Sequence, residues 1–434
     1  MRHRIHTHHL VAASAWLSRI ITAIAQLYSI RILLDFLGID QYAVFVLLTG
    51  LTGWFMLADC GTGVSVQNHI SEHRANNQSY DELIAAGGLL AIFFLFVTIV
   101  ALYFIGPYVA PVLMKQFMFL AIAEKERLFF LSGTIAIATG IGGVSYRIWY
   151  AMQKGYLSNF VPAVAAVTSV LALAILKDTA SENRLYLGLA AFMAPTALLP
   201  VAVLVLQIRR SIAVAGRPRR ILAGLIMRRA FHFWIFSVLA AGVLQVDYIV
   251  IAQFLNSHDI AVYNISTKVF ALVFFFYSAL LFALWPVIAE SIAKGEWGGV
   301  WRHTRQSIIF GFLIIIIGTI LLIWLMPVAV SFLAPREAID IPAGFILLLG
   351  AYQLIRVWTD TFAMLLQSMN DMAPFWILVP FQVVASVGLQ WALVSRFGIY
   401  GAVWGLIGSF VLTVAWGLPL AVRRSYQRSM TGMA

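Results

Sequence analysis

The sequence predicts an all-α, polytopic membrane protein with about twelve transmembrane helices in two six-helix lobes around a central cavity. Three observations predict this class. Hydrophobic residues make up 62% of the 434 residues and charged residues only 11%, and the mean hydropathy is +0.91. The apolar residues are gathered in blocks of the roughly 20 residues that a helix needs to cross a hydrocarbon core. Lysine and arginine are also distributed unevenly between alternate connections.

Twelve apolar blocks meet the hydropathy criterion for a membrane span, which uses a window of roughly 19 residues. Each is predicted to be helical, because a backbone N–H or C=O in lipid is satisfied only inside its own helix. The approximate limits of the predicted spans are 10–36, 41–66, 84–105, 128–150, 158–177, 185–207, 230–254, 262–289, 306–333, 342–367, 374–395 and 400–422. Only a short turn around Gly38 and Asp40 divides the first two.

The basic residues orient these spans. With the N-terminus on the inner side, most lysines and arginines fall in inner connections. The outer connections hold only Lys115, Lys125, Arg127, Lys177, Arg184, Arg336 and Arg396. By the positive-inside rule, both termini are predicted to be cytoplasmic. The net charge of +11 then reflects topology and contact with anionic membrane lipids, and nucleic acid is not an expected partner.

The longest inner connection, Ile208–Arg229, divides the chain into two related halves, 1–215 and 216–434. The matched positions are Phe36-Leu37 with Phe254-Leu255, Ala43-Val44-Phe45 with Ala261-Val262-Tyr263, Gln153 with Gln367, Tyr186 with Tyr400, and Arg209-Arg210-Ser211 with Arg423-Arg424-Ser425. The alternative is coincidence in a sequence of low complexity. Because both halves begin and end on the inner side, they are predicted to be parallel repeats, an arrangement found in transporters.

The tenth predicted span carries a polar stripe. Gln353, Arg356, Asp360 and Gln367 recur at helical spacing on one face, and Arg356 and Asp360 are also an i,i+4 pair. A charge at mid-bilayer costs on the order of 3 kcal/mol, so it is expected to face an aqueous cavity or a partner. The stripe favours a cavity-facing surface, and the alternative is an ion pair that only fastens this helix to its neighbour.

Other charges interrupt the first, second, seventh and eighth spans. The candidate ligand-binding residues are Arg19, Gln26, Arg31, Lys268, Gln353, Arg356 and Gln367. The candidate residues for charge balance or ion coupling are Asp35, Asp59, Asp247 and Asp360. Arginine is always charged and makes forked contacts with phosphate, so a cavity lined by these side chains is expected to attract an anion. Structural pairing is the alternative for each carboxylate, and Gly61 and Gly63 after Asp59 indicate a broken or closely packed helix end.

Catalytic motifs are absent from the sequence. It contains no HExxH, no CxxC and no Gly-rich phosphate loop between a strand and a helix. The one cysteine, Cys60, excludes an internal disulfide. The chain is therefore not expected to be an enzyme or to need a metal or another cofactor.

The stretch from Arg31 to Ala43 (RILLDFLGIDQYA), followed by LADCG at 57–61, resembles a known family. It is similar to the opening of the bacterial polysaccharide-biosynthesis transporters, the O-antigen flippases of the multidrug/oligosaccharidyl-lipid/polysaccharide exporter superfamily. That family shows R-x-L-G-x-x-x-Y-G near the first turn and D-L-G after the second span. Here Ala43 replaces the glycine and Cys60 replaces the leucine. Length, span number and the two halves extend the resemblance over the whole chain.

The resemblance implies a function. It implies translocation of an undecaprenyl-pyrophosphate-linked oligosaccharide across the bacterial inner membrane by alternating access, with a cationic cavity that Arg31 and the other deep basic residues could supply. A polysaccharide polymerase and a chain-length regulator are further partners that it implies. Two alternatives stay open: a cation-coupled drug or metabolite antiporter of the same superfamily, and a membrane-embedded polymerase or acyltransferase. The longest outer connection, Gly106–Arg127, is short for a polymerase.

Overall fold

The computed structural model describes the backbone of residues 2–177, 179 and 181–431, and these residues form helices and turns without a β-strand. The helices, numbered in chain order, are α1 Arg2–Gly50, α2 Thr52–Phe55, α3 Thr62–Ala75, α4 Asp81–Leu113, α5 Ile122–Gly142, α6 Val144–Ala151, α7 Gly155–Leu176, α8 Arg184–Ala215, α9 Arg220–Leu244, α10 Asp247–Phe254, α11 Ser257–Ala293, α12 Trp297–Leu333, α13 Ala343–Ser368, α14 Ala373–Phe397, α15 Ile399–Leu412 and α16 Val414–Thr431. A 3₁₀ turn at Met56–Asp59 separates α2 from α3.

The helices coincide with the predicted spans. In the part of the chain that the structure describes, ten helical stretches are long and apolar enough to cross a membrane. The first of them, Ser14–Asp59, covers most of the first two predicted spans. The helix α13 coincides with the tenth predicted span, although it is not one of these ten stretches. The protein is therefore an all-α, multi-pass membrane protein, and the predicted fold class is confirmed.

The first two spans meet at Gly38. Its φ of 69° and ψ of 171° interrupt an otherwise continuous α1. A Cβ atom at this position would meet nothing within 4 Å. The glycine is therefore required for its backbone conformation, which other residues rarely adopt, and not for space.

The chain forms two compact units, Met1–Ala241 and Gly242–Ala434. In the first unit, α1 packs on α7 and α8, and α5 packs on α4 and α8. In the second unit, α11, α12 and α13 pack on one another, α14 packs on α15, and α16 packs on α13. The division at 215/216 that the sequence predicts concerns the repeat and stays a prediction.

Most of α9 belongs to the first unit because its contacts lie there. The Ser65 hydroxyl donates to the carbonyl of Ile226 at 2.8 Å, and the Trp234 indole N–H donates to the carbonyl of Leu57 at 3.0 Å. Arg229 pairs with Glu72 at 2.6 Å, outside the predicted spans, and its hydrogen bond lowers the pKa of the Glu72 carboxyl. The first helix after the central connection is thus fastened to the half that precedes it.

Four helices end in the same way. Asn77, Gln153, Gly295 and Asn370 follow α3, α6, α11 and α13 with φ between 54° and 72°. After each one, the next N–H reaches back to the carbonyl five residues earlier, as in a Schellman turn: Lys154 to Trp149 at 2.8 Å, for example, and Asp371 to Leu366 at 2.9 Å. Because many helices end in this way, the ends do not test the pairing of Gln153 with Gln367, which stays a prediction.

A hydroxyl and an indole satisfy backbone groups within the second unit. The Tyr277 hydroxyl donates to the carbonyl of Val357 at 2.9 Å and lies 2.6 Å from the Thr361 hydroxyl. The Trp358 indole donates to the carbonyl of Ala415 at 2.7 Å. Proline has no N–H, so Pro419 leaves that carbonyl without its usual helix donor. Trp358 supplies the missing bond and fixes α13 against α16.

Gly311 on α12 allows the close approach of α11 and α13. A Cβ atom there would lie 2.6 Å from both the Tyr277 ring and the Val357 side chain, in the buried core of this unit. We expect Gly311→Ala to destabilise the protein by about 1–3 kcal/mol through overpacking. Thermal unfolding of the detergent-purified protein measures the effect. Gly298→Ala on the same helix is the control, because its Cβ would meet nothing within 4 Å. Equal melting temperatures for the two variants would contradict this packing.

Candidate functional site

Arg356 and Asp360 form an ion pair on α13. The Arg356 Nη2 atom lies 3.0 Å from Asp360 Oδ2, and Nε lies 3.4 Å from Oδ1, so the contact is forked. The guanidinium carbon also lies 4.9 Å from the centre of the Phe274 ring on α11. The side chains remain 21% and 31% exposed. Both charges are therefore compensated, and both stay open to a further partner.

The rest of the predicted stripe flanks this pair. Gln353 lies one turn before Arg356, and its Oε1 atom is buried without a hydrogen-bond partner. Gln367 is half-buried near the end of α13. The Tyr352 hydroxyl also interacts with the Arg356 guanidinium. This face of α13 thus presents an arginine, a carboxylate, a hydroxyl and an unsatisfied amide oxygen.

A second polar group connects α10 with α11. The Tyr263 hydroxyl donates to Asp247 Oδ2 at 2.7 Å, whereas Oδ1 is buried without a hydrogen-bond partner. The Asn264 amide donates to the Tyr248 hydroxyl at 2.9 Å. Asp247 and Arg356 both act electrostatically on Tyr352, so the two polar groups are neighbours within one unit.

Sequence reasoning found Asp247 but missed its tyrosines. The sequence did contain one signal for Tyr263. The residue matched to it in the first half is Phe45, so the second half has an additional hydroxyl at this position. Lys268, one turn beyond Asn264 on α11, has an exposed side chain. It is the candidate basic residue nearest in sequence to this group.

The candidate binding residues on α1, in the first unit, are mostly exposed. Arg19, Gln26 and Asp35 are exposed on α1, and Arg31 is half-buried. Arg19 acts electrostatically on Tyr150, as does Arg147. The structure thus places basic candidates in both units, whereas the close polar network of Asp247, Arg356 and Asp360 lies in the second.

Asp59 has a clear local role. Its two carboxylate oxygens accept the N–H groups of Gly61 at 2.9 Å and Gly63 at 3.2 Å, at the start of α3. Cys60 and Gly61 both have positive φ, so the helix breaks at the point that the glycines indicated. A Cβ atom on Gly61 would lie 2.3 Å from the carbonyl oxygen of Ala230 on α9. Asp59 therefore caps a broken helix against which α9 packs.

Comparison with known proteins identifies the family. The chain is 38% identical over 429 residues, 98% of both chains, to a protein of Yersinia pseudotuberculosis named for O-antigen export. It is also 38% identical to a protein of Salmonella typhi named as an O-antigen transporter, over 96% of both chains. The chain belongs to the O-antigen transporter family. The resemblance seen in the first two spans is therefore confirmed.

The fold of this O-antigen transporter family member is similar to that of solved transporter structures. The MatE family model matches residues 234–392. The structure of a lipid II flippase, MurJ in an inward closed conformation, has a TM-score of 0.71 at 13% identity and covers 96% of this chain and 89% of that one. An inward-facing multidrug transporter of the MATE family has a TM-score of 0.70 at 13% identity, covering 95% and 96%. At these identities the likeness shows the fold alone.

The capping role of Asp59 leads to a stability prediction. Asp59→Ala removes both acceptors of the α3 N-terminus and is expected to destabilise the protein by about 1 kcal/mol. Asp59→Asn keeps one acceptor oxygen and is expected to destabilise the protein less than Asp59→Ala does. Thermal unfolding of the purified variants measures both. If Asp59→Asn lowers the melting temperature as much as Asp59→Ala does, the negative charge of Asp59 contributes more to stability than its hydrogen bonds to the start of α3.

Proposed function

We propose that this protein is a flippase for a lipid-linked oligosaccharide. It moves an undecaprenyl-pyrophosphate-linked repeat unit of a surface polysaccharide from the cytoplasmic to the periplasmic leaflet by alternating access. The relatives named for O-antigen export support this proposal over nearly the whole chain. The observation that carries it is Arg356, a guanidinium on the helix of the tenth predicted span that is paired and yet partly exposed.

A pyrophosphate suits this arrangement. A guanidinium makes two parallel hydrogen bonds to a phosphate group, and it does so without losing its charge in the membrane. Asp360 occupies the forked position in the structure. The substrate anion competes for the same N–H groups, while Gln353 and Tyr352 offer polar contacts nearby. Arg19, Gln26, Arg31, Lys268 and Gln367 complete the proposed substrate-binding set.

The location follows from the same function. We place the protein in the bacterial inner membrane with both termini in the cytoplasm, because the inner connections carry most of the lysines and arginines. A polysaccharide polymerase and a chain-length regulator are the proposed partners on the periplasmic side. The drug antiporter of the same superfamily is less well supported, because such a protein needs an anionic or aromatic site and these candidates are rich in arginine. The relatives are named as transporters, so no chemistry on the sugar is proposed.

Arg356 provides the test of this function. Arg356→Ala is expected to abolish surface polysaccharide when it replaces the native gene, while the protein still accumulates in the membrane. Arg356→Lys is expected to restore only part of the activity, because an ammonium group cannot make the forked contact. Immunoblots of surface glycan and of the membrane fraction measure the two quantities.

Arg302→Ala is the matched control, since Arg302 is an exposed arginine near the start of α12, on the side that we propose to be cytoplasmic. It is expected to leave surface glycan unchanged. Full activity of Arg356→Ala would reduce the ion pair to a structural role.

Energy coupling is proposed to use the buried carboxylates. Without a nucleotide site, net translocation requires an ion gradient or consumption of the product outside. A carboxylate in a site of low dielectric can bind and release a proton near neutral pH, because burial disfavours its charged form. Asp247 suits this task because one of its oxygens has no hydrogen-bond partner and the other accepts from Tyr263. Asp360 can bind a proton when it is no longer paired with Arg356. In the first unit, Asp35 and Asp59 balance charge.

Asp247→Asn and Asp360→Asn are therefore expected to remove the response of transport to a pH gradient, and Asp59→Asn is expected to keep it. Translocation in vesicles with and without imposed pH and Na⁺ gradients measures this. If transport is insensitive to both gradients in the native protein, and all three variants transport normally, the protein is a passive facilitator.

A further inference from the structure

We propose that a pocket between the start of α14 and the last helix, α16, binds the headgroup of an anionic phospholipid of the bilayer, phosphatidylglycerol. The pocket lies within the second unit and has a volume of about 260 Å³. Two arginines, Arg424 and Arg428, line it directly, together with one carboxylate, Asp371. Neither Arg356 nor Asp247 lines it, so the pocket is separate from the proposed substrate site.

The pocket has a polar end and an apolar end. At the polar end, the Ser425 hydroxyl donates to Asp371 Oδ2, just before α14, at 2.5 Å. At the apolar end, a Cβ atom on Gly417 would lie 2.8 Å from the side chain of Leu378, on α14. The two helices are therefore antiparallel neighbours, and the arginines of α16 lie beside the start of α14.

The side of α16 that lines the pocket changes from apolar to basic along the helix. Trp416, Leu420, Arg424 and Arg428 follow one another at intervals of four residues, and all four line the pocket. Trp416 and Leu420 are mostly exposed, as is Ile377 opposite them on α14. From Trp416 to Arg428 a helix rises about 18 Å. A phospholipid on this surface has its acyl chains against the apolar side chains and its phosphate beside the arginines.

The charges that line the pocket select a lipid with a net negative charge. Two guanidinium groups and one carboxylate leave one net positive charge. The Asp371 carboxylate is already engaged, because Oδ1 accepts the Ala373 N–H at 3.3 Å and Oδ2 accepts the Ser425 hydroxyl. Within the described part of the chain, Arg424 forms no salt bridge with a carboxylate.

A phosphodiester with a single negative charge balances this lining. A guanidinium makes forked hydrogen bonds to a phosphate group, and basic pockets between transmembrane helices on the cytoplasmic side bind anionic headgroups. The arginines lie on the side that we propose to be cytoplasmic. Phosphatidylethanolamine is zwitterionic and brings no net charge to the pocket. A pyrophosphate brings more negative charge than the lining balances.

The basic segment of α16 is held in place by the protein itself. The centre of the Tyr426 ring lies 4.7 Å from that of Trp297 and 5.9 Å from that of Trp301, both on α12. The preceding residue, Ser425, makes the hydrogen bond to Asp371. The arginines are therefore presented on a fixed helix, and binding a headgroup does not require this segment to become ordered.

Native mass spectrometry of the full-length protein in detergent, titrated with lipid, tests the assignment. Phosphatidylglycerol is expected to bind several-fold more tightly than phosphatidylethanolamine with the same acyl chains. Arg424→Ala is expected to weaken the binding of phosphatidylglycerol about fivefold, the effect of one arginine close to an anionic membrane surface. The double variant Arg424→Ala/Arg428→Ala is expected to weaken it further and to leave the binding of phosphatidylethanolamine unchanged.

Arg423→Ala is the matched control. Arg423 is exposed on the same helix, next to Arg424, and does not line the pocket. Its substitution removes the same charge and is expected to leave the binding of phosphatidylglycerol unchanged.

Three results would overturn the proposal. Equal losses in Arg423→Ala and Arg424→Ala would mean that the basic segment attracts anionic lipid without a specific site. Equal binding of the two phospholipids by the native protein would remove the selection by charge. Displacement of phosphatidylglycerol by an equal concentration of undecaprenyl pyrophosphate, lost in Arg424→Ala, would assign the pocket to the substrate lipid instead.

Discussion

Every backbone polar group in the hydrocarbon must be satisfied inside the protein, and the features of this structure depend on that constraint. Where the helices continue, the constraint is met by the helix itself. Where the helices break, side chains make hydrogen bonds with the backbone groups that have lost their helical partners. Asp59 receives two N–H groups at the start of α3, and Trp358 supplies the donor that Pro419 cannot give to the carbonyl of Ala415. These breaks are also where helices that are distant in sequence become fastened together.

The charged side chains differ in how completely they are hydrogen-bonded or paired. Asp59 has both oxygens occupied by backbone N–H groups, so its role is to hold a helix end. Arg356 and Asp360 satisfy each other and remain partly exposed, which leaves the pair open to exchange with an anion. Asp247 keeps one buried oxygen without a hydrogen-bond partner. Groups with incomplete or exchangeable partners are the ones on which a transport cycle can act.

Much of this was predictable from the sequence. Hydropathy located the spans because each crosses the membrane as a local, self-satisfied helix, and spacing alone brought Arg356 and Asp360 together. The partners of Asp247 and Trp358 were not predictable in the same way, because they come from other helices and depend on how those helices pack. The attachment of α9 to the first unit was missed for this reason: its contacts through Ile226, Arg229 and Trp234 join residues far apart in the chain.

We propose that this chain alone moves a lipid-linked oligosaccharide between leaflets. The most direct measurement uses the purified protein as the only protein in vesicles, with an undecaprenyl-pyrophosphate-linked oligosaccharide in both leaflets and a glycosidase outside. We expect the protected inner-leaflet sugar to become accessible to the glycosidase in vesicles that contain the protein, and to stay protected in protein-free vesicles. Sugar that stays protected in both kinds of vesicle, together with gradient-driven uptake of a cationic drug, would contradict flippase activity and favour the antiporter.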